Sequence, residues 1–127
     1  MNVLMSIKPE FAFKIFDGTK KFEFRRSIFK NPGIKRIIVY ASSPVQKIIG
    51  EFEIEDILDF DIETLWQETN RDSGISREYF FQYFDGKDQG YAIKIKKTKK
   101  YKREYCIKET YNKIPPQSFT YVANPPS

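Results

Sequence analysis

The chain has 127 residues, of which 40% are hydrophobic, so its length suits one hydrophobic core rather than two. It has no histidine and one cysteine, which excludes an intrachain disulfide, a histidine-activated nucleophile and a zinc site of histidine or cysteine ligands. The net charge of +5 points mildly toward a polyanionic partner. We expect one domain over residues 1–122, a frayed tail over residues 123–127, no cofactor and no bound metal.

The first predicted elements are short. Residues 2–7 form a predicted strand, and residues 9–18 a two-turn helix with Pro9 at its first position and Gly18 just past its end. Residues 21–25 alternate with period two, which predicts a half-buried strand with Phe22 and Phe24 on its apolar face. Residues 36–42 are apolar on both faces, as is typical of a central strand.

The second half continues this alternation of strands and helices. Residues 47–58 form a predicted strand, in which Gly50 indicates a bulge or a close backbone approach. Asp61 and Ser76 are predicted to cap two helices, the second closed by Gly86. A strand over residues 89–97 and a closing strand after Pro116 complete the chain. This order predicts a small mixed β-barrel or an α+β roll with helices packed outside.

Charge is distributed unevenly along the chain. Residues 51–72 hold nine acidic groups and one basic group, whereas residues 94–103 hold seven basic groups and no acid. We expect a negative and a positive side, with the positive side binding phosphates of a nucleic-acid backbone. The alternative is two solvated surfaces, because lysines on strand edges also block aggregation. The basic residues are Lys94, Lys96, Lys97, Lys99, Lys100, Lys102 and Arg103.

The remaining sequence signals concern location. The N-terminus lacks a basic region followed by an apolar run, and no apolar stretch approaches the roughly 20 residues of a spanning helix. We therefore expect a cytoplasmic protein that does not bind membranes. Its oligomeric state is left open.

The segment after the first helix combines a glycine with charged residues. Gly18 suits a left-handed turn, Lys20 lies in the turn, and Glu23 and Arg25 share one face of the next strand. Glu23 would anchor Arg25 or Lys20 for binding a phosphate, or it would accept from the exocyclic amine of an unstacked base. The alternative is a surface ion pair worth about 0–1 kcal/mol.

Residues 18–25, GTKKFEFR, resemble the G-x-K-x-x-E-x-R signature of ASCH domains in the PUA-like superfamily. The segments LMSIKPEFAFKIFDG, VYASSP, IGEFEI and PPQSFTYV resemble further family segments in the family's order, over nearly the whole chain. The resemblance implies a PUA-like β-barrel, with two to three short flanking helices and a cleft for RNA or a nucleotide-like ligand. It also implies a role as a transcription or translation coregulator or as a ribonuclease. One family branch deacylates modified cytidine, but that branch has Thr where this chain has Glu23.

The candidate ligand-binding residues come from the opening segment LMSIKP, from the signature, from the strand end at VYASSP and from the corner PPQS. Ser42, Gln117 and Ser118 have an alternative role in turns or strand capping. The candidates are Lys8, Lys20, Glu23, Arg25, Tyr40, Ser42, Gln117 and Ser118.

Three functions remain open at this point. The leading hypothesis is RNA binding, for which Arg25→Ala should weaken binding and leave the melting temperature nearly unchanged. The alternative is a metal-independent hydrolase of RNA or modified nucleosides, with Lys20 and Glu23 as catalytic residues. The third is a protein-interaction domain that uses the acidic segment.

Overall fold

The computed structural model describes residues 1–126 and contains a six-stranded sheet with four short α-helices and one 3-10 turn. The strands are β1 (Asn2–Ile7), β2 (Phe22–Arg25), β3 (Arg36–Ala41), β4 (Lys47–Asp61), β5 (Gln89–Tyr105) and β6 (Phe119–Val122). The helices are α1 (Pro9–Asp17), α2 (Ile62–Thr69), α3 (Arg77–Tyr83) and α4 (Ile107–Tyr111), and the 3-10 turn spans Asn70–Asp72.

The sheet has the strand order β2-β5-β4-β3-β1-β6. The pair β1–β3 is parallel, and the other neighbours are antiparallel. This mixed sheet with short helices confirms the predicted α+β class. Two details differ: there are four α-helices instead of two or three, and the edge strands β2 and β6 are not paired with each other, so the sheet does not close into a barrel.

The main core lies between one face of this sheet and α1. Ala12 and Ile15 of α1 pack against alternate residues of the strands, as period-two alternation requires. The strand residues in this cluster are Val3, Met5, Ile7, Ile37, Val39, Ala41, Ile49, Phe52 and Ile93.

A second cluster covers β2 from the side of α2 and α3. Phe22 and Phe24 pack with Leu65 of α2 and with Phe80 of α3, and the ring centroids of Phe24 and Phe80 are 5.3 Å apart. All four residues of β2 are buried, so the predicted half-buried strand is wrong. Helices α2 and α3 cover the apolar face of β2. On the opposite face, Arg25 contacts Ser6 of β1 and Ser118 before β6.

Gly50 is at a break in the strand register and at a close contact. The register shifts between Val39 and Tyr40 on β3 and between Ile48 and Gly50 on β4. A Cβ atom on Gly50 would come within 2.4 Å of Phe16 Cζ. Both alternatives predicted for this glycine, a bulge and a close approach, therefore occur together.

The acidic and basic segments are neighbouring strands rather than opposite sides of the molecule. In the antiparallel pair β4–β5, Glu51 is opposite Lys99 and Asp56 is opposite Lys94. Lys94 Nζ is also 2.9 Å from Glu55 Oε2. The predicted separation into a negative and a positive side is therefore wrong for Glu51, Glu55 and Asp56 of β4, because lysines of β5 lie next to them.

The C-terminal part of the chain contains one helix more than the sequence predicted. Helix α4 was not predicted, and its Ile107 packs with Leu4 and Ile38 on the sheet face opposite α1. The backbone oxygens of Ala123 and Asn124 accept hydrogen bonds from Asn2 and Tyr111. The predicted tail over residues 123–127 includes residue 127, which lies outside the described residues. Within residues 1–126, no helix is long and apolar enough to cross a membrane.

Candidate functional site

A cavity of about 410 Å³ lies beside β2, which is an edge strand of the sheet. Its walls come from β2, the start of α1, helix α3 and the segment before β6. Residues far apart in the chain meet here, because Arg25 of β2 bonds to Ser6 of β1 and to Ser118 before β6. The lining residues are Ile7, Lys8, Phe11, Lys20, Glu23, Phe24, Arg25, Arg26, Ser27, Ile75, Tyr79, Tyr83, Gln117 and Ser118.

Lys20 is a buried cation in the wall of this cavity. Gly18 ends α1 in the left-handed conformation, φ 87°, and turns the chain so that Lys20 precedes β2. Only 2% of Lys20 is exposed, and its Nζ donates a 2.8 Å hydrogen bond to the Ser73 carbonyl. The same Nζ is 5.2 Å from the ring centroid of Phe11 and 4.8 Å from that of Phe24.

Burial changes the acid–base behaviour of Lys20. Desolvation lowers its pKa to about 8, and the attraction of the Glu23 carboxylate opposes this change. A lysine with a pKa near 8 is mostly protonated at pH 7 but can release its proton at mildly alkaline pH. Lys20 can therefore bind an anion and can also take part in proton transfer.

Glu23 and Arg25 form a buried ion pair on the face of β2 opposite Phe22 and Phe24. Arg25 Nη2 is 2.8 Å from Glu23 Oε2, and the two side chains are 10% and 7% exposed. Arg25 Nη2 also donates to the Ser6 carbonyl of β1 at 2.8 Å, and Nη1 donates to Ser118 Oγ at 3.3 Å. The alternative of a surface ion pair therefore does not describe these residues.

Through these contacts Arg25 holds parts of the fold together and also lines the cavity. One guanidinium connects β2 with β1 and with the segment before β6, across the gap where the sheet does not close. The sequence-based expectation that Arg25→Ala leaves the melting temperature nearly unchanged does not fit this geometry, because removing the guanidinium would leave the Glu23 carboxylate buried and unpaired.

Aromatic rings form another part of the wall. Tyr79 and Tyr83 are one turn apart on α3, with ring centroids 6.4 Å apart and planes inclined by 10°. Phe11 meets Tyr79 edge to face at 5.2 Å. Lys8 Nζ donates to the Tyr79 hydroxyl at 3.4 Å. Tyr79 is half-buried, belongs to none of the three hydrophobic clusters among the described residues and lines the cavity.

Sequence reasoning missed the cavity residues Arg26, Tyr79 and Tyr83. Arg26 Nη1 donates to the carbonyls of Tyr83 and Asp85 at 2.8 and 3.0 Å, which ties the end of β2 to α3. The four-residue spacing of Tyr79 and Tyr83 indicated one helix face, but nothing in the sequence showed which strand that face would meet.

Six of the eight predicted ligand residues line the cavity, and two do not. Lys8, Lys20, Glu23, Arg25, Gln117 and Ser118 are brought together there. Tyr40 is 3% exposed and packs in the cluster around α4, where desolvation raises its pKa. Ser42 follows β3, and its backbone N–H donates to the Ile7 carbonyl at 3.0 Å. Neither Tyr40 nor Ser42 is among the lining residues of the cavity, and their role in ligand binding stays a prediction.

The basic segment is spread over several parts of the surface. Lys94 and Lys96 line a second cavity, of about 510 Å³, that also includes Lys20 and Lys21. Lys97 and Lys99 are instead beside the acidic residue Glu51. The side chains of Lys100, Lys102 and Arg103 are exposed, with Lys100 Nζ over the Phe13 ring and the Arg103 guanidinium over the Tyr105 ring. Only Lys94 and Lys96 of this segment adjoin Lys20.

The described residues contain no group of three or more His, Cys, Asp or Glu side chains that could hold a metal ion. The donors that converge on the cavity are ammonium, guanidinium and hydroxyl groups. These groups bind anions, and phosphate and carboxylate groups are their usual partners in proteins.

The fold and the cavity define a small α+β domain with a buried cationic site. The chain belongs to the ASCH domain family, whose model matches residues 5–115. Crystal structures of the ASCH protein from Zymomonas mobilis superpose with a TM-score of 0.88 at 34% identity, covering 96% of this chain and 87% of that one. A single-substitution mutant of the same protein gives the same TM-score at 33% identity and covers 96% of this chain and 90% of the other.

Curated relatives place the domain in different proteins. An ASCH domain-containing ribonuclease of Zymomonas mobilis is 35% identical over 95 residues, covering 75% of this chain and 64% of the relative. The large ribosomal subunit protein uL22 of Ureaplasma parvum is 28% identical over 95% of this chain, which spans 39% of that protein's length. The ATP synthase subunit alpha of the same species matches at 30% identity over 95% of this chain and 15% of its own length.

Proposed function

We propose that this ASCH domain binds single-stranded RNA and that one nucleotide enters the cavity at Lys20. The observation that carries the proposal is the convergence of a buried ammonium, a buried carboxylate–guanidinium pair and an aromatic ring on a cavity of about 410 Å³. Ligand pockets in proteins generally measure about 300–1,000 Å³, and this cavity is at the small end, as suits a mononucleotide unit.

Each class of side chain in the cavity matches a part of an unpaired nucleotide. Unstacked bases are held by aromatic rings and by hydrogen bonds to their edges, which suits Tyr79 and the carboxylate of Glu23. Phosphate oxygens accept from cations, which suits Lys20 and the exposed Lys8 at the rim. A duplex cannot present a base in this way without unpairing it, so the proposal is specific for single strands.

The identity of the nucleic acid is proposed from the relatives. The Zymomonas relative is named a ribonuclease, and the present chain aligns with it over three quarters of its residues. The ribosomal protein and the ATP synthase subunit carry no weight here, because each matches over only a minor part of its own length and the two have unrelated names. We propose that the protein binds RNA in the cytoplasm and that it acts there in transcription or translation.

Binding is tested by fluorescence anisotropy of a labelled single-stranded RNA of mixed sequence, in the presence of EDTA. We expect Lys20→Met to weaken binding about ten-fold or more, because a hydrogen bond to a charged group is worth about 1.5–3 kcal/mol. Tyr79→Leu should also weaken it, since stacking contributes about 1–3 kcal/mol per base. The control is Lys113→Met, which removes the same charge from an exposed residue that lines no cavity described above.

The result that would contradict RNA binding at this cavity is equal affinity for Lys20→Met, Tyr79→Leu and Lys113→Met. A duplex RNA of the same sequence serves as a second control. We expect it to bind more weakly than the single strand, because its bases are not free to enter the cavity.

A second candidate function, RNA cleavage, is favoured by the lowered pKa of Lys20 beside Glu23. In this reaction the Glu23 carboxylate would accept the proton of a ribose 2′-OH, whose oxygen attacks the adjacent phosphorus atom. The bond from phosphorus to the 5′-oxygen would break, and Lys20 would stabilise the developing charge and protonate the leaving oxygen. The products would be a 2′,3′-cyclic phosphate and a 5′-hydroxyl end.

Cleavage is tested with the same RNA in EDTA, followed by analysis of the product ends. We expect cyclic phosphate products from the natural protein and none above background from Lys20→Met or Glu23→Gln. An RNA in which the 2′-OH groups are replaced by hydrogen should bind and remain intact. If the variants and the natural protein give equal product, the cavity does not cleave RNA. Acylated nucleosides are tested in parallel as substrates, because the sequence also left hydrolysis of modified nucleosides open.

A further inference from the structure

The loop that follows the 3-10 turn is bonded to the segment that carries Lys20. Three consecutive carbonyl groups, the first on the last residue of the 3-10 turn and the others in the loop, accept hydrogen bonds from Lys14 in α1 and from the two residues before β2. The bonds are Lys21 N to Asp72 O at 2.8 Å, Lys20 Nζ to Ser73 O at 2.8 Å and Lys14 Nζ to Gly74 O at 3.0 Å. The loop of residues 72–75 is therefore held along the length of the Lys20 segment.

Ser73 fixes the direction of the carbonyl that Lys20 binds. It is 1% exposed, and its hydroxyl lies 3.2 Å from the Asn70 carbonyl oxygen and 3.0 Å from that of Ile75. Because the side chain is tied to the backbone on both sides, its own carbonyl has little freedom to turn away from Lys20.

Gly74 allows the loop to lie directly against the aliphatic part of Lys20. It has φ +70°, a conformation that glycine adopts without strain. A Cβ atom at this position would be 2.6 Å from Lys20 Cβ and 2.7 Å from Lys20 Cγ. Any side chain at Gly74 would therefore displace either the loop or Lys20.

We propose that Gly74 and the Ser73 carbonyl are positioning elements for Lys20. Gly74 lets the loop cover the stem of the lysine, and the carbonyl directs the ammonium group between the rings of Phe11 and Phe24. This inference rests on the proposed function, in which Lys20 is the cation that meets the RNA.

A fixed lysine suits this role for two physical reasons. A free lysine side chain has many rotamers, and ordering it during binding would reduce affinity. An ammonium has three donors, so one bond to the Ser73 carbonyl leaves two for phosphate oxygens of a ligand. The loop thus orders the side chain before the ligand arrives and leaves donors for it.

The test compares Gly74→Ala with Gly86→Ala. Gly86 also has a positive φ, +82°, but a Cβ atom there would meet no atom within 4 Å. The two variants therefore share the backbone strain, and only Gly74→Ala pushes on Lys20. One readout is the titration of Lys20 followed by NMR of labelled lysine, and the other is affinity for the labelled single-stranded RNA.

We expect Gly74→Ala to weaken RNA binding about ten-fold, comparable to the loss of one charge-assisted hydrogen bond. The Lys20 titration midpoint should rise toward that of an exposed lysine, because a displaced ammonium is better solvated. Gly86→Ala should leave both readouts as in the natural protein. Equal behaviour of the two variants in both readouts would overturn the proposal.

A further variant covers the case in which Gly74→Ala does not fold. Ser73→Ala removes the hydroxyl that holds the carbonyl, and we expect the same direction of change with a smaller size. Unchanged titration and affinity in Ser73→Ala would then overturn the proposal.

The titration of Lys20 also distinguishes failure of this inference from failure of the proposed RNA binding. If the natural protein binds no RNA, the proposed function fails, while the Lys20 midpoint still reports whether the loop positions the lysine.

Discussion

Lys20 combines burial with a charge that the surroundings only partly compensate. Its ammonium lies between two phenylalanine rings and makes one hydrogen bond within residues 1–126, to the Ser73 carbonyl. Rings attract a cation through their faces, but desolvation is the larger effect and lowers the lysine pKa. Perturbed ionisable groups in a cavity are typical of functional sites, which is why Lys20 has the central place in the proposed function.

The lowered pKa predicts a specific dependence of stability on pH. The pKa of Lys20 is about 8 in the folded protein, against 10.5 as its ordinary value. Between these values the unfolded chain binds more protons, so the free energy of unfolding should rise with pH. From pH 8 to pH 10 the natural protein should gain about 2 kcal/mol relative to Lys20→Met.

The measurement is urea denaturation of the natural protein and Lys20→Met across this range. Comparison with the variant is needed because other groups also titrate. Tyr111, whose pKa desolvation raises to about 12, would change the stability in the opposite direction above pH 10. Parallel pH curves for the two proteins would show that Lys20 is not desolvated in solution.

At the scale of the element, β2 separates two packing environments. Its phenylalanines face α2 and α3, and its Glu23 and Arg25 face the β1 side, where Arg25 bonds to Ser6 and Ser118. The strand is therefore held on one face by apolar packing and on the other by a charged side chain. Arg25 makes the connection between the two ends of the sheet that backbone hydrogen bonds do not make.

This arrangement predicts that Arg25→Ala destabilises the fold. Removing one partner of a buried ion pair costs about 3–5 kcal/mol, because the other charge stays buried without compensation. The measurement is the free energy of unfolding in urea. The double variant Arg25→Ala with Glu23→Gln should recover part of the loss, since it removes the unpaired carboxylate. An unchanged midpoint for Arg25→Ala would show that the contact across the open edge contributes nothing.

At the scale of the whole molecule, pairing of β4 with β5 decides which basic residues are available to a ligand. Lys99 is opposite Glu51 and Lys94 is bonded to Glu55, so part of the positive charge is matched within the sheet. Lys21 and Lys96 line the cavity that adjoins Lys20 and are exposed. The path we propose for the RNA backbone therefore runs from Lys20 toward these two residues.

This path predicts how salt affects RNA binding. The logarithm of the affinity for a single strand falls with the logarithm of salt concentration by about 0.7 for each phosphate that is neutralised. The double variant Lys21→Gln with Lys96→Gln should reduce this slope by about 1.4. The control, Lys99→Gln with Lys100→Gln, removes the same charge from the other part of β5 and should leave the slope nearly unchanged. If the control variant reduced the salt slope more than the Lys21 and Lys96 variant, the RNA backbone would instead run along the part of β5 that carries Lys99 and Lys100.

Local patterns in the sequence were sufficient for most elements. The period-two alternation predicted β2 and β4, and Asp61 and Ser76 cap α2 and α3 by accepting hydrogen bonds from the backbone N–H groups of Thr64 and Tyr79, as expected. Helix α4 was missed because it has only five residues and no side-chain cap. Such a short helix is stabilised by tertiary contacts, here through Ile107, rather than by its own sequence.

The sequence by itself determined the α+β class and the segment that carries Lys20, Glu23 and Arg25, because turns, caps and strand alternation depend on neighbouring residues. Only the tertiary structure decided that β2 is buried on both faces, that Tyr79 lines the cavity and that Tyr40 does not. It also decided that the acidic and basic strands pair and that Gly74 touches Lys20. These contacts join residues distant in the chain, and they follow from strand order and packing, which no local pattern encodes.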